Sequence, residues 1–342
     1  MTERRGIACG GNWIVDHVKT ISFWPREETL ANILAEELGT GGSAYNVLVD
    51  LARFQLDIPL SGVGLVGDDA DGERILADLT RLGIDSMRVL RAPGAPTSYT
   101  DVMTVRSTGR RTFFHNRGAN ALLGPEHFPY KELSCRLFHL GYLLLLDKLD
   151  AEDPEFGTKA ARVLAGLQGE GILTSIDVVS EDSDRFSRLV SPALPHADHA
   201  ILNEIEAGRT TGHEIRVGDR LDRKAMEDSA REILRRGVKR AVVVHAPELS
   251  LGLSRSGAAC WQASHAVPEG FIRSTVGAGD AFCAGVLAGI HEGWDLERSL
   301  RFATAAAATC LRHLTTTGGV GTAKEIWRIA ATMPVRSGPS LE

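Results

Sequence analysis

The sequence of 342 residues has few cysteines, and none of them lies close to another in the chain. The five are Cys9, Cys135, Cys260, Cys283 and Cys310. A disulfide framework and a four-thiolate zinc site both need closely paired thiols, so neither is predicted. We expect the cysteines to be small buried hydrophobic side chains in a reducing compartment.

The sequence also lacks an excess of basic residues and long apolar runs. It has 38 basic and 44 acidic residues and a net charge of −6, whereas binding to a nucleic-acid backbone depends on many Lys and Arg contacts. The longest apolar run, residues 140–146, is far shorter than the roughly 20 residues of a membrane span. Near the start, Asn12 and Asp16 interrupt any export signal. These features predict a cytoplasmic protein with neither nucleic-acid nor membrane partners.

What the sequence does contain is an alternation of short apolar runs with helical patterns. This alternation predicts βαβ units around a mostly parallel sheet. The predicted strands are 7–9, 59–66, 136–146, 174–178, 199–202 and 241–245, and the predicted helices are 44–53, 72–82, 156–169, 226–236, 278–291 and 300–311. Segments 13–23 and 97–114 are instead rich in β-branched and aromatic residues. We interpret them as a small β-sheet insert over the main domain, the alternative being edge strands of the main sheet.

A glycine-rich segment at residues 275–282 directly precedes a predicted helix and contains Asp280. Glycines at this place let backbone N–H groups approach an anion, and the helix N-terminus adds about half a positive charge. Asp280 would repel a phosphate bound there unless it has a task. One such task is to deprotonate a hydroxyl that attacks the phosphorus. The alternative is a carboxylate that only stabilises the helix N-terminus.

A second glycine cluster lies at residues 39–46 and also begins a helix. Gly41 and Gly42 permit close backbone approach, and Asn46 adds a polar group on the first turns. Together with Asn12 and Asp16 after the first strand, they offer donors and acceptors suited to a polyhydroxylated ligand. For Asp16 the alternative is an exposed charge on a strand.

Asn203 and Glu206 follow the strand at 199–202 with a spacing of three residues. This spacing places both side chains on one side of a helical turn, where their oxygens suit Mg²⁺ held through water beside phosphates. The alternative is a helix N-cap with an acidic residue in the first turn.

Residues 62–67 match the Gly-x-Gly-x-x-Gly pattern of dinucleotide-binding proteins. However, Asp68, Asp69 and Asp71 follow at once, where a pyrophosphate would meet the helix. A dehydrogenase is therefore not predicted. A Walker-type lysine is absent from this loop as well.

These elements, in this order, resemble the ribokinase-like (PfkB) family of sugar and nucleoside kinases over about residues 6–321. The resemblance implies a three-layer α/β domain (1–11, 39–96 and 121–333), a β-sheet lid (12–38 and 97–120) that forms a homodimer, and a flexible tail (334–342). It implies that ATP and Mg²⁺ serve to phosphorylate a hydroxymethyl group of a small sugar. The implied catalytic residues are Gly277, Ala278, Gly279 and Asp280; the substrate-binding residues are Asn12, Asp16, Gly41, Gly42, Asn46 and Arg117; the nucleotide-binding residues are Asn203, Glu206, His245, Gly252 and Thr304, with Asn203 and Glu206 also next to the metal. Gly64, Gly67, Asp69 and Gly72 match a turn of the family.

The sequence departs from the family pattern at several positions. Ser274 stands where many members have an Asp that helps to hold potassium, which weakens the case for a monovalent cation. Residues 245–248 replace the usual Thr-x-Gly loop of the nucleotide site, and Ser43 replaces the lysine found in ribokinases. Arg117 could meet the carboxylate or phosphate of an acidic sugar. Nucleoside kinase, sugar-acid kinase and non-catalytic binder remain alternatives.

Overall fold

The computed structural model describes residues 4–337, which contain a nine-stranded sheet and a separate four-stranded sheet. The strands in chain order are β1 (Ile7–Gly11), β2 (Ile14–Ile21), β3 (Ile33–Gly41), β4 (Leu60–Val66), β5 (Asp85–Arg91), β6 (Ser98–Val105), β7 (Arg111–Asn116), β8 (Leu137–Leu143), β9 (Glu152–Asp153), β10 (Gly157–Thr158), β11 (Leu173–Val178), β12 (His199–Asn203), β13 (Arg216–Val217), β14 (Arg220–Leu221), β15 (Ala241–His245), β16 (Leu249–Ser254) and β17 (Ala259–Ala263). The helices are α1 (Ser43–Arg53), α2 (Ala70–Arg81), α3 (Asp147–Asp150), α4 (Lys159–Gly169), α5 (Phe186–Val190), α6 (Glu204–Thr211), α7 (Arg223–Arg235), α8 (Ala278–Glu292), α9 (Leu296–Cys310) and α10 (Ala323–Thr332).

The main sheet has the order β17-β16-β15-β12-β11-β8-β1-β4-β5. Neighbouring strands from β15 to β5 pair in parallel, and β16 and β17 add to one edge in antiparallel fashion. The central strands are nearly continuous apolar runs because helices cover both faces of a parallel sheet. The predicted α/β class and all six predicted strands of this sheet are confirmed.

Helices α8 and α9 pack closely against each other beside the sheet. A Cβ at Gly285 of α8 would lie 2.5 Å from the Cα of Ala303 on α9, and a Cβ at Gly289 would meet Ser299 at 2.2 Å. Small residues are therefore required along this contact, which fixes the position of the α8 N-terminus relative to the sheet.

The four-stranded sheet, which we call the lid, has the order β3-β2-β6-β7. The predicted β-sheet insert is confirmed, and the alternative of edge strands in the main sheet is wrong. Asp69 joins the lid to the main domain: it caps α2 by accepting a hydrogen bond from Gly72 N at 2.8 Å, and it accepts another from Thr97 N at 2.7 Å. The turn after residues 62–67, which match the dinucleotide-binding pattern, thus holds the residue before β6 through Asp69.

The first residues of the predicted flexible tail are fixed to the main domain. Ala266 N donates to the Pro334 carbonyl at 2.8 Å, and Arg336 N donates to the Ser264 carbonyl at 2.8 Å. The prediction of a flexible tail is therefore wrong for residues 334–336, whereas residues 338–342 lie outside the described residues.

All five cysteines are free thiols; four are buried as predicted, whereas Cys260 is only partly buried. Within residues 4–337, no helix combines the length and the apolar character needed to cross a membrane.

Candidate active site

The N-terminus of α8 forms the floor of the site. Its N-cap, Gly277, has a φ of 84°, and a Cβ there would lie 2.1 Å from the Thr316 carbonyl oxygen, so only glycine fits. No side chain caps this helix. Ala278 N donates to the Thr275 carbonyl at 3.4 Å. Because the first N–H groups of a helix have no acceptor within it, those of Gly279 and Asp280 carry the partial positive charge of the helix dipole at this end of α8.

Asp280 lies in the first turn of α8, and both of its carboxylate oxygens accept hydrogen bonds. Tyr142 Oη donates to Oδ1 at 2.6 Å, and Asn46 Nδ2 donates to Oδ2 at 2.7 Å. Burial raises the pKa of Asp280 to about 6, although the hydrogen bonds from Tyr142 and Asn46 oppose this rise. The carboxylate is therefore oriented, largely ionised at neutral pH and a stronger base than an exposed aspartate.

Asp280 faces a cavity of about 240 Å³ that also contacts Asp177, Glu206, His245 and Gly279. We call this space the inner cavity. Asp177, at the end of β11, contributes a buried Oδ1 that has no hydrogen-bond partner among the described residues. A carboxylate oxygen without a hydrogen-bond partner is costly to bury, so this atom suits a hydrogen-bond donor or a cation that reaches it.

A buried polar network holds Asp177 from behind. Ser43 Oγ donates to its Oδ2 at 2.7 Å, and His139 Nε2 lies 3.4 Å from the same oxygen. The His139 ring also contacts Ser175 Oγ at 3.1 Å and Cys283 Sγ at 3.7 Å. The histidine, aspartate and cysteine form a compact buried group that fixes the side of Asp177 facing away from the cavity.

Asn203 and Glu206 form a capping box at the start of α6. The Asn203 side chain accepts from Glu206 N at 2.9 Å, and Glu206 Oε2 accepts from Asn203 N at 2.9 Å. Glu206 Oε1 accepts from Ser180 Oγ at 2.7 Å. Burial raises the pKa of Glu206 to about 8 despite these bonds. The N-cap that the sequence offered as the alternative is therefore present, and it places Glu206 at the wall of the inner cavity.

A larger cavity of about 360 Å³, the outer cavity, lies on the other side of Gly279 and His245, which line both spaces. Its walls are largely apolar and include Ile272, Phe282 and Ala308. Two buried hydroxyls that line it, on Ser250 and Thr304, have no hydrogen-bond partner among the described residues. The two cavities therefore make a trough that passes over the N-terminus of α8.

His245 separates the two cavities. Burial lowers its pKa to about 4, so the imidazole is neutral at physiological pH. Its ring lies 4.8 Å from that of Phe282, and a Cβ at Gly279 would approach its Cε1 at 3.5 Å. The imidazole and the glycine thus keep the passage over α8 narrow and uncharged.

Asp16 lines a narrow cleft between the lid and the main domain, which we call the lid cleft. Gly39, Thr40, Arg111 and Val276 line it as well. Burial raises the pKa of Asp16 to about 7, and the charge of Asp280 adds to this effect. A Cβ at Gly41 would lie 2.5 Å from Asp16 Oδ1, so this glycine makes room for the carboxylate. Asp16 therefore lies on the lid side of the segment that precedes α8, and Asp280 lies in the first turn of α8 itself.

Four predicted site residues have other contacts than expected. Asn12 is fully buried, and its amide donates to the Leu145 carbonyl at 3.2 Å and accepts from Tyr142 N, so the side chain is engaged by the backbone. Gly42 lies close to the backbone of Asn12, since a Cβ at Gly42 would lie 2.6 Å from the Asn12 carbonyl oxygen. Gly252 faces Leu296 and Leu300 of α9 in the interior.

Arg117, the fourth of these residues, is engaged outside the lid cleft. Its Nη1 donates to the Leu144 carbonyl at 3.2 Å and pairs with Asp147 at 3.1 Å. Ser274 Oγ accepts from Val276 N at 3.1 Å, so this hydroxyl serves the turn before α8. Thr304 lines the outer cavity, and His245 lines both cavities.

Sequence reasoning missed Tyr142, Asp177, Ser250 and Arg111. Tyr142 and Asp177 follow from topology: they lie at the carboxyl ends of the central strands β8 and β11, where ligands bind in open α/β sheets. Arg111 begins β7, and the alternation of that strand directs it, together with Phe113, into the lid cleft. Ser250 had no signal of its own.

Comparison with known proteins identifies similar chains over nearly the whole length. The model of the pfkB family of carbohydrate kinases matches residues 7–322. The ATP-dependent ribose-1-phosphate kinase of Halopiger xanaduensis is 27% identical over 303 residues, which cover 87% of this chain and 88% of that protein.

Solved structures of the same architecture include kinases for different acceptors. Arabidopsis thaliana ribokinase, solved with ribose and ATP, superposes with a TM-score of 0.78 at 22% identity over 96% of this chain and 99% of that one. The nucleoside kinase of Methanocaldococcus jannaschii superposes with a TM-score of 0.72 at 19% identity over 96% and 98%. At these identities the likeness establishes the ribokinase-like fold, and the fold alone does not select the acceptor.

Proposed function

Because this chain belongs to the pfkB family of carbohydrate kinases, we propose that it transfers the terminal phosphoryl group of ATP to a hydroxymethyl group of a small sugar or sugar-like acceptor. Asp280 is the base in this proposal, and the N-terminus of α8 binds the phosphoryl group in transfer. The observation that carries it is the buried carboxylate of Asp280 beside the uncapped helix N-terminus. A carboxylate in that place would weaken simple anion binding, whereas in-line phosphoryl transfer needs both groups together.

Each group at the site has a task in this reaction. Tyr142 and Asn46 hold the two oxygens of Asp280, so one carboxylate orientation is fixed before the acceptor arrives. The acceptor hydroxyl loses its proton to Asp280 as its oxygen bonds to the phosphorus, and ADP leaves with the bond to the bridging oxygen broken. The N–H groups of Gly279 and Asp280 stabilise the negative charge on the phosphoryl oxygens during this step.

We propose that the two substrates enter the site from opposite ends. The outer cavity has apolar walls and two unpartnered hydroxyls, Ser250 and Thr304, which suits a nucleobase and ribose. From there the phosphates would pass Gly279 and His245 to the N-terminus of α8. The acceptor would enter from the lid cleft, where Asp16 offers a half-buried carboxylate to its hydroxyls.

The residues around the inner cavity also fit Mg²⁺. Asp177 Oδ1 is buried and without a partner among the described residues, and Glu206 lies on the same cavity. Both are oxygen ligands of the kind that hold hydrated Mg²⁺ beside phosphates. Because Asn203 and Ser180 already occupy the Glu206 carboxylate, Asp177 is the better candidate for close contact. When bound, the ion would offset negative charge on the phosphates of ATP.

We also propose a homodimer through the lid. Large hydrophobic side chains are exposed there, among them Leu30 at 77%, Ile33 at 54%, Trp24 at 49% and Phe114 at 50%. The rings of Trp24 and Phe114 stack with centroids 6.1 Å apart. A group of exposed large apolar side chains of this kind is typical of a protein–protein interface.

The Asp280→Asn variant tests the proposed reaction. The two side chains have the same shape, and loss of a general base lowers turnover by about 10²–10⁴-fold. ATP binding, followed by calorimetry, should persist because the outer cavity is untouched. The matched control is Asp57→Asn, since the Asp57 side chain is 97% exposed, and it should keep full turnover. ADP release near the wild-type rate from Asp280→Asn would contradict the role of this residue.

A further inference from the structure

The inner face of the lid contains an unpaired cation. Arg111 is half-buried at the start of β7 and lines the lid cleft together with Asp16 and Phe113. Within residues 4–337 its guanidinium has neither a hydrogen bond nor an ion pair. Asp16 interacts with it only through the field of its charge. A partly desolvated guanidinium without a counter-ion is unfavourable, so the cleft is incomplete as it stands.

A second polar group beside Arg111 is also unsatisfied. Thr104 lies directly across from Arg111 in the pairing of β6 with β7. Its hydroxyl is buried and has no hydrogen-bond partner among the described residues. Because the side chains of a directly opposed pair leave the same face of a sheet, a guanidinium and a hydroxyl lie side by side on this face of the lid. Guanidinium groups are the side chains that recognise phosphate or carboxylate oxygens best.

The neighbouring arginines do not share this property. Arg110 is exposed in the turn before β7. Arg117, at the other end of the strand, is held by Leu144 and Asp147. Of these three arginines, only Arg111 both lines the lid cleft and lacks a hydrogen bond or ion pair among the described residues.

Resting on the proposed kinase function, we infer that the acceptor carries an anionic group, a phosphate or a carboxylate, and that Arg111 of the lid binds it. The anion would lie at the lid end of the cleft, and the hydroxymethyl group would lie at Asp280. Arg111 would thereby select charged sugars over neutral ones.

Two matched pairs of acceptors test the inference and distinguish the two anions: ribose 1-phosphate against ribose, and gluconate against glucitol. Wild-type kcat/KM should favour the charged member of at least one pair. Arg111→Gln should lower kcat/KM for that charged acceptor by about tenfold to hundredfold, the range expected for one charge-assisted contact. For the neutral member of the pair, Arg111→Gln should change kcat/KM by less than about threefold. Arg111→Lys should recover part of the loss, and Arg110→Gln should match wild type.

Several results would overturn the inference. Preference of the wild type for ribose and glucitol would do so while leaving the kinase function intact. Equal losses on charged and neutral acceptors in Arg111→Gln would show that Arg111 serves the lid structure. Calorimetry without ATP measures acceptor binding separately from turnover. If charged acceptors bind to wild type but not to Arg111→Gln, and wild type supplied with ATP releases no ADP, the anion site is supported and the kinase reaction is contradicted.

Discussion

Replacing Tyr142 with Phe should move the pH at which the enzyme loses activity in acid. Activity requires ionised Asp280, whose pKa of about 6 is raised by burial, so kcat/KM of the wild type should fall as the pH drops through about 6. The Tyr142 hydroxyl donates to this carboxylate at 2.6 Å and thereby favours the charged form. A hydrogen bond to a charged group contributes about 1.5–3 kcal/mol. At about 1.36 kcal/mol for each pKa unit, its loss should raise the acid limb by about one to two pH units.

The assay is ADP release measured by chromatography between pH 5 and 9, which avoids a coupling enzyme with its own pH dependence. Tyr142→Phe should approach wild-type kcat/KM at pH 9 and fall behind it as the pH decreases. Tyr130→Phe is the matched control, because that ring packs against Gly166 on α4, away from Asp280. A Tyr142→Phe profile that superposes on wild type, or that lies lower by one factor at every pH, would refute the reasoning.

Two further predictions concern stability and assembly. Burial raises the pKa of Asp16 to about 7, so the folded chain binds more protons than the unfolded chain between pH 4 and 7, and its stability falls as the pH rises through that interval. Asp16→Asn should therefore unfold at a higher temperature than wild type at pH 8 and at the same temperature near pH 4; a lower unfolding temperature at pH 8 would contradict this. Phe114→Asp should sediment as a monomer while wild type sediments as a dimer, because a charge on the exposed lid face opposes its burial. Met87→Asp, at a side chain 77% exposed on β5, should leave the dimer intact, and a dimeric Phe114→Asp would remove the lid as the interface.

The central elements could be predicted because local signals and tertiary burial agree there. The strand β1 is an unbroken apolar run, and α1 and α8 begin at glycines, as the clusters at 39–46 and 275–282 predicted. The edge strands β5 and β17 were missed. Both mix charged or polar residues with apolar ones, since one side of an edge strand remains exposed. The helix α10 was missed as well, although Thr322 caps it by accepting from Glu325 N at 3.3 Å.

Within the site, glycines and acids gave a stronger signal than neutral polar residues. Asp280 stands out in the sequence because a carboxylate would repel a phosphate bound at the helix start. Asp16 stands out because it is a charged residue that closely follows a buried strand. The sequence gives no sign that the backbone holds Asn12, because an amide satisfies buried backbone groups as readily as it binds a sugar. The structure shows its bond to Leu145. Arg117 directly follows β7 and has the same parity as Arg111, so strand alternation alone does not separate the two. What separates them is that Leu144 and Asp147 hold Arg117, whereas Arg111 lines the lid cleft, and these contacts are not visible in the sequence.

The charges that line the inner cavity and the lid cleft indicate which cations the two substrates need. The carboxyl groups of Asp16, Asp177, Glu206 and Asp280 line the lid cleft and the inner cavity. Because burial raises the pKa of Asp16 to about 7 and that of Glu206 to about 8, these two carry a proton much of the time near neutral pH, and ATP would bring most of the negative charge to the trough. Opposing this charge are the partial charge of the α8 N-terminus, about half a unit, and Arg111. Like charges brought together in a desolvated space repel strongly, so the bound state requires further cations. A divalent ion beside Asp177 would meet this need at the phosphates, and Arg111 would meet it at the acceptor. Removal of Mg²⁺ should therefore weaken ATP binding without affecting an anionic acceptor, whereas Arg111→Gln should do the reverse.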